Sequence, residues 1–317
     1  MKPLSAVLAA TGAAALILIG ASPAAAAGSS IDPGDSLYAI DCDDTVYNDW
    51  QLMKVEPSTA ASTPIGDGSG STSEDFYACA GQPAYNSSTG KSYYIQWQYD
   101  TDPQQYFLAS IDLATGDSTT IGEFFYIDGE FPTYPYVESM AIGLDGSAYA
   151  FSQGFLWSVD LSSGELTPID ESLSNTYAFA VDPTTGIFYA IDFSNNRYSV
   201  SSDGSYIYLD TVTLPAETTI YSLQIDGGGR FWIEVDDSNL DSDAGLWSFA
   251  PADAATPTYS GEFIDDPYYT EALLIVPGAA LAATGADFGG VAPLAAGGAA
   301  LALAGVALLA LRRRRAA

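Results

Sequence analysis

The sequence predicts an all-β fold, a five-bladed β-propeller with four-stranded antiparallel blades. Between Ser36 and Val276 no segment of useful length shows apolar residues at helical spacing. Short runs rich in β-branched and aromatic residues alternate instead with turns rich in Gly, Asp, Ser and Thr. Two kinds of turn recur along this region, and one strand is left over at its end. Together these three observations favour blades arranged in a closed ring.

The first kind of turn occurs five times, with starts 41 to 56 residues apart. In its clearest form an aspartate stands four residues before a glycine. We assign this turn to the connection between the third and fourth strands of a blade. Its five copies begin at Glu56, Asp112, Asp160, Ser201 and Ala250.

The second kind of turn connects the first and second strands of a blade and is followed by an aromatic strand. It occurs four times, beginning at Asn86, Gly143, Asp182 and Asp226. The first blade lacks it and opens directly at its second strand, 37–40. The spare strand 271–276 then supplies the missing first strand and closes the ring, which leaves no open sheet end. A β-sandwich of similar length is the alternative fold.

Both ends of the chain carry targeting signals. Lys2, an apolar stretch over 4–19 and four alanines at 24–27 predict a helical signal peptide over residues 1–27, followed by a short segment, 28–35. At the other end a linker, 277–290, precedes an apolar run, 291–311, which is long enough for a transmembrane helix, and a basic tail, 312–317. The alternatives are an uncleaved N-terminal anchor and an ordinary tail anchor.

Within the linker stands a short motif, directly ahead of the apolar run and the four terminal arginines. The order of motif, apolar run and basic stop resembles a cell-wall sorting signal, in the form used by class E sortases of high-GC Gram-positive bacteria. The resemblance implies that a sortase attacks the carbonyl of the threonine and transfers it to peptidoglycan. The membrane is then contacted only through the C-terminal helix before sorting. The motif reads Leu281, Ala282, Ala283, Thr284 and Gly285.

The repeats themselves, including 112–116 and 182–186, resemble those of bacterial extracellular propellers of the YVTN and NHL kind. This resemblance implies an architecture and no particular activity.

The composition limits the functions that are open to the chain. It contains 40 acidic residues, nine Lys and Arg, and no histidine, with a formal charge of −31. The expected product, 28–284, keeps four cations and 39 carboxylates. Such a charge repels nucleic acid and anionic lipid, and it favours cations, neutral sugars or basic partners. Solubility alone is the simpler explanation. The lack of histidine excludes Ser-His-Asp triads and histidine-ligated zinc.

The two cysteines, Cys42 and Cys79, are expected to form a disulfide, because the signal peptide directs them to an oxidising compartment. Two buried thiols are the alternative.

The longer connections, which join second to third strands and one blade to the next, bring carboxylates and aromatic rings to one end of the propeller. Aromatic faces stack on sugars, and carboxylates accept sugar hydroxyls or bind cations. We therefore predict a binding rim there, although these residues could simply cover exposed loops. The candidate rim residues are Tyr47, Trp50, Tyr99, Tyr126, Phe131, Tyr134, Tyr136, Tyr268 and Tyr269.

One of these connections alternates oxygen-bearing side chains as calcium loops do, although Ser242 and Ser248 stand where an EF-hand has glycine and glutamate. Its candidate Ca²⁺ ligands are Asp237, Asn239, Asp241 and Asp243.

Taken together, the sequence predicts a non-catalytic binding module fixed to the cell wall, with a glycan, an envelope component or a surface protein as its ligand. The alternative is a glycoside hydrolase with a carboxylate pair, for which the sequence selects no catalytic residue.

Overall fold

A computed structural model of the protein describes residues 30–43, 49–66, 80–98, 105–126, 135–170, 176–216, 218–237, 245–263 and 270–278. In these ranges no helix has both the length and the apolar character needed to cross a bilayer. The predicted signal and transmembrane helices lie outside them. The described strands are β1 (Ser36–Asp43), β2 (Asp49–Val55), β3 (Ser62–Ile65), β4 (Ala80–Asn86), β5 (Lys91–Gln98), β6 (Gln105–Ile111), β7 (Ser118–Glu123), β8 (Phe125–Tyr126), β9 (Val137–Ile142), β10 (Ala148–Ser152), β11 (Phe155–Val159), β12 (Glu165–Asp170), β13 (Thr176–Val181), β14 (Phe188–Asp192), β15 (Asn196–Val200), β16 (Tyr206–Thr211), β17 (Thr218–Ile225), β18 (Phe231–Asp237), β19 (Gly245–Phe249), β20 (Thr258–Gly261) and β21 (Thr270–Val276).

The strands form five antiparallel blades in a ring, as predicted. From the innermost strand outward the blades are β21-β1-β2-β3, β4-β5-β6-β7, β9-β10-β11-β12, β13-β14-β15-β16 and β17-β18-β19-β20. The third blade has a fifth strand that the sequence analysis did not predict. The two-residue strand β8 runs parallel to β12 along its outer edge, where the chain passes from the second blade to the third.

Ring closure follows from the pairing of β1 with β21. Leu37 pairs with Ile275 and Ala39 with Leu273, so that the two ends of the folded region form adjacent strands of one sheet. The innermost strands then contact one another around the whole ring, from β21 to β4, β9, β13, β17 and back to β21. The predicted closure by a C-terminal strand is confirmed.

The core lies between the blades and comprises five clusters of buried apolar side chains, one for each pair of adjacent blades. Successive residues of a strand point to opposite faces of its sheet. In β1, Leu37 therefore packs towards Trp232 of the fifth blade, whereas Tyr38 packs towards the second blade. Both faces of a blade are covered by its neighbours, which explains why the inner strands are apolar at nearly every position.

Hydrogen bonds to aspartates close the predicted turns locally. In the turn after β6, the Asp112 carboxylate accepts a bond of 2.8 Å from the Ala114 amide, and Gly116 has a φ of 80°. In the turn after β13, Asp182 accepts bonds from the amides and hydroxyls of Thr184 and Thr185. These local bonds let the chain reverse direction between adjacent strands of a blade.

The outer edges of the blades differ in chemistry. The strands β3, β7 and β20 carry mainly Ser, Thr and Gly, and β8 covers the edge of the third blade. By contrast, β16 exposes the side chains of 206–209, a run of tyrosine and aliphatic residues. These side chains lie on the perimeter, away from the central axis.

The Asp35 carboxylate connects the start of the folded region to the fifth blade and to the segment that follows β21. Asp35, just before β1, accepts bonds from the Gly227 amide of the fifth blade (2.6 Å) and from the Gly278 amide after β21 (2.8 Å). Its pKa is raised from the ordinary value, mainly by burial and further by the nearby carboxylates of Asp32 and Asp226. Asp35 thus reinforces the closure at the end where β21 stops.

We expect the variant Asp35→Ala to lower the free energy of unfolding by about 1–3 kcal/mol, because two partly buried amides lose their acceptor. Urea unfolding followed by tryptophan fluorescence measures the change. Asp203→Ala serves as the control, since among the described residues the bonds that Asp203 accepts come from Ser205, within its own exposed turn. Equal urea midpoints for the two variants would show that Asp35 does not contribute to closure.

Candidate functional site

The two ends of the propeller are chemically distinct. The turns after an innermost strand and the turns before an outermost strand lie at one end, which we call the turn face. The remaining connections lie at the other end, which we call the loop face. The predicted binding rim belongs to the loop face.

Several sequence-predicted residues lie outside the described part of the chain, and the corresponding predictions stay open. Of the two cysteines in the predicted disulfide, Cys42 lies in β1 and Cys79 lies outside the described residues. In the predicted calcium loop, Asp237 ends β18, and the other three ligands are not described. Among the described residues, no group of three or more Asp, Glu, Cys or His side chains could hold a metal ion. The other predicted residues outside the description are Leu281, Ala282, Ala283, Thr284, Gly285, Tyr47, Tyr99, Phe131, Tyr134, Tyr268 and Tyr269.

Of the predicted rim residues, Trp50 is a core residue. Its side chain is 1% exposed and packs 5.4 Å from the ring of Tyr94, between the first and second blades. A tryptophan at the first buried position of a strand is not distinguishable in the sequence from one in the preceding loop. The structure therefore gives this ring a packing role, and we leave it out of the site described below.

Tyr136 instead belongs to a continuous row of rings on the loop face, which we call the aromatic band. The hydroxyl oxygens of Tyr136 and Tyr177 are 3.5 Å apart. The ring centroid of Tyr177 lies 4.0 Å from that of Phe193 and 5.5 Å from that of Tyr221. On the other side, Tyr136 contacts the buried ring of Tyr106 at 5.2 Å. The band crosses four blades, from the second to the fifth.

Three rings of the aromatic band are accessible to a ligand. The exposed fractions of the side chains are 41% for Tyr136, 45% for Phe193 and 37% for Tyr221. These three rings each contact Tyr177, and together they offer flat apolar surfaces with polar edges. Such surfaces can stack on sugar rings or contact cations.

β-Bulges explain why these side chains come together. In each innermost strand the pairing register shifts near the loop face. A bulge inserts an extra residue and re-aims its side chain. The inserted residues are Glu138 in β9, Tyr177 in β13 and Tyr221 in β17, and β21 has Glu271 at the corresponding position. With strict alternation the side chains of Glu138, Tyr177 and Tyr221 would have pointed between the blades.

Glu138 is the most perturbed carboxyl group near the aromatic band. Burial raises its pKa from 4.5 to about 8. Its Oε2 atom is inaccessible to solvent and has no hydrogen-bond partner among the described residues. Burial raises the pKa of the phenols of Tyr126 and Tyr136, and the charge of Glu138 raises both further.

The neighbouring hydroxyls are occupied. Ser152 donates a bond of 2.7 Å to the Tyr136 carbonyl, and so its hydroxyl, 2.9 Å from that of Tyr126, accepts the Tyr126 proton. Tyr126, a predicted rim residue, is partly buried and packs 4.5 Å from the Trp157 ring. Tyr126, the last residue of β8, therefore has a packing role beside the site.

Two glutamines close the central channel between the loop face and the turn face. Gln82 of β4 reaches across the axis. Its side chain donates to the carbonyls of Phe179 and Leu223 and accepts a bond of 3.0 Å from the Phe179 amide. Gln224 of β17 donates to the Pro83 carbonyl and accepts from the Ile275 amide. A ligand at the aromatic band therefore meets a polar floor at the channel.

No family model matches this chain, and no curated protein matches it. Among solved structures, a structural genomics protein of unknown function from Bacteroides thetaiotaomicron is 14% identical, with a TM-score of 0.42 over 72% of this chain and 60% of that one. TolB from Acinetobacter baumannii is 13% identical, with a TM-score of 0.43 over 77% of this chain and 67% of TolB. A puromycin hydrolase is 13% identical, with a TM-score of 0.37 over 74% of this chain and 37% of the hydrolase.

The chain thus spans less than two thirds of the first and third of these structures. At such identities and TM-scores the matches carry no inference about function. The assignment of five blades depends on the strand pairing described above.

The raised pKa of Glu138 makes the stability of the protein depend on pH. The unfolded chain loses this proton near the ordinary value of 4.5, whereas the folded chain keeps it until about pH 8. Folding therefore becomes less favourable as the pH rises between these values, by about 1.4 kcal/mol per pH unit at most. The Glu138→Gln variant has no charge at this position at any pH. Its free energy of unfolding should match that of the wild type at pH 4.5 and exceed it by about a few kcal/mol at pH 8.5.

Urea unfolding at a series of pH values measures this difference. As a control of opposite sign, Asp203→Asn removes a carboxyl group whose pKa is lowered by bonds from Ser205. That variant should be less stable than the wild type at pH values above the ordinary range of an aspartate. A stability difference for Glu138→Gln that stays constant with pH would show that Glu138 is not desolvated.

Proposed function

We propose that this propeller is a non-catalytic binding module and that its ligand contacts the aromatic band on the loop face. One observation carries the proposal: three exposed rings, contributed by separate elements of the third, fourth and fifth blades, each contact Tyr177 on the loop face. Isolated exposed aromatic residues are common on protein surfaces, but a contiguous row of them is typical of a contact surface. Its expected ligand is a glycan, another envelope component or a surface protein.

The sequence of the loop-face connections supports a contact surface at this end. The connections 44–48, 99–104, 127–134, 171–175, 238–244 and 264–269 contain tyrosines, phenylalanine and carboxylates and no Lys or Arg. Together with the aromatic band they would provide a surface of rings and acceptors, which suits sugar hydroxyls and positively charged groups.

We also propose that the module acts at the cell wall. The signal peptide and the sorting motif predict export, cleavage after Thr284 and attachment to peptidoglycan by a sortase. Only 277–284 would separate β21 from the point of attachment, a reach of at most about 28 Å when fully extended. This shortness favours ligands within the envelope over distant ones.

A glycoside hydrolase remains the second candidate, because a carboxyl group with a pKa of about 8 is suited to act as a general acid. It would need a second carboxylate across the substrate. Release of reducing sugar from wall polysaccharide, lost in Glu138→Gln, would favour the hydrolase over the binding module.

The binding role predicts that single ring deletions in the band weaken retention on isolated cell walls. We expect Tyr221→Ala and Phe193→Ala in the exported product, 28–284, to lower the association constant by about 5- to 30-fold, since a stacked ring contributes on the order of 1–2 kcal/mol. Tyr208→Ala, which removes an exposed ring from the perimeter strand β16, is the matched control and should bind as the wild type does. Equal loss in all three variants would contradict a site at the band.

Anchoring predicts a change of cell fraction. In the native host, deletion of 281–285 should move the protein from the wall fraction to the membrane fraction, because the transmembrane segment would no longer be removed. Mass spectrometry of the wall-released wild-type protein should find Thr284 as its last residue. A wild-type protein found only in membranes with an intact C-terminus would contradict sorting.

A further inference from the structure

We infer that β16, the outer strand of the fourth blade, is the interface of a weak symmetric dimer, in which it pairs antiparallel with β16 of a second copy. The inference concerns the perimeter of the propeller and does not depend on the aromatic band or on the proposed binding function. It is carried by the exposure of 206–209, by the free backbone edge of the strand and by the lack of charge along this run.

Four consecutive large side chains are exposed on β16. The exposed fractions are 44% for Tyr206, 68% for Ile207, 55% for Tyr208 and 41% for Leu209. The rings of Tyr206 and Tyr208 lie on one face of the sheet, where their centroids are 5.7 and 5.9 Å from that of Tyr198. Ile207 points to the opposite face. Single exposed apolar residues are common, but a contiguous patch of them marks an interaction surface.

The other blades protect their outer edges. The strands β3 and β20 are only four residues long, and β8 covers the edge of the third blade. In β7, Gly122 lies directly against the Ser163 carbonyl of the next blade. Short strands and covered edges prevent a sheet from pairing with another chain. By contrast, β16 has six residues and, among the described strands, only β15 beside it.

The backbone of β16 has groups that can accept a second strand. The Ser201 amide donates to the Ser205 carbonyl (2.8 Å), so this carbonyl points towards β15. Backbone groups alternate in direction along a strand, and the N–H and C=O groups of Tyr206 and Tyr208 therefore point away from β15. In a two-fold pair centred on Ile207, Tyr206 lies opposite Tyr208 of the second copy. Each such pair exchanges both of its N–H···O bonds.

The charge distribution favours a second copy as the partner. The run 206–209 contains no charged residue, although the chain has a formal charge of −31. Two copies can therefore meet at this run without bringing carboxylates together. In the register centred on Ile207, Asp210 lies opposite Gly204 of the second copy. A strand rich in Lys or Arg would find only Asp210 on β16, and this carboxylate is already paired with Arg197 at 2.6 Å.

The exposed area predicts a weak dimer. Large side chains have roughly 150–250 Å² of surface each, so four that are about half exposed offer on the order of 400 Å² per copy. A dimer would bury about 800 Å², which is below the size of a stable interface, and we expect a dissociation constant on the order of 100 μM. Wall retention measured well below this concentration compares monomers, so Tyr208→Ala remains a valid control there.

Sedimentation equilibrium of the product 28–284 tests the dimer. We expect the association constant to rise by about threefold or more from about 0.05 M to about 0.5 M NaCl, because salt screens the repulsion between two acidic copies. Two-fold pairing occupies both edges, so nothing larger than a dimer should form. A product that stays monomeric at about 1 mM in high salt, or that forms an open series of oligomers, would overturn the inference.

Two aspartate substitutions locate the interface. Ile207→Asp places two carboxylates opposite each other on the two-fold axis and should lower the association constant by about tenfold or more. Leu144→Asp adds the same charge at a leucine that is 44% exposed in a turn of the third blade, and it should dimerise as the wild type does. An equal loss in both variants would show that added charge weakens association irrespective of β16, which contradicts the inference.

A disulfide trap tests the register and does not depend on the charge. Opposed residues of an antiparallel pair that exchange no hydrogen bonds have Cα atoms about 4.5 Å apart, within the range of a disulfide. Ile207→Cys should therefore give a covalent dimer when an oxidant is added. In Leu209→Cys the two Cα atoms would be about 14 Å apart, and no covalent dimer beyond the wild-type level should form. Equal cross-linking of the two variants would overturn the pairing centred on Ile207.

Discussion

The antiparallel pairing of β1 with β21 is the constraint on which the rest of the structure depends. A propeller blade buries both of its faces against neighbouring blades, and an open ring would leave two apolar faces in water. Pairing Leu37 with Ile275 and Ala39 with Leu273 removes that exposure, because the same strands then pack on Trp232 of the last blade. Asp35 fixes the junction from outside the sheet. Closure also keeps the five innermost strands in contact around the ring, and each of them has its bulge near the loop face.

The sequence predicted the features of the fold that depend on local chemistry. The turn at Asp112 and the turn at Asp182 use short-range bonds between an aspartate and the next few residues, which a reader can recognise in the sequence. Closure was predictable from one missing turn and one spare strand. The small strand β8 was not, because two residues beside Pro-rich and acidic sequence carry no pattern of their own.

The candidate site was only partly predictable. Tyr136 was predicted because it lies in a long aromatic connection, whereas Glu138, Tyr177 and Tyr221 lie within strands, where no site residue was predicted. A bulge leaves the composition of a strand unchanged, so the alternation pattern does not reveal it. One signal was available: Tyr136 and Glu138 stand two residues apart at the start of β9, as Tyr269 and Glu271 do at the start of β21. Comparing inner strands in register would have exposed this repeat.

The position of Gly278 has a consequence for how the module faces its surroundings. Asp35, ahead of β1, and Gly278, after β21, meet at the turn face, so the polypeptide enters and leaves the propeller on the same side. An anchor on the part of the sequence that follows Gly278 would therefore be connected to the propeller at its turn face. If the chain is anchored as proposed, Tyr136, Phe193 and Tyr221 would lie at the end of the propeller opposite the point at which the chain leaves it.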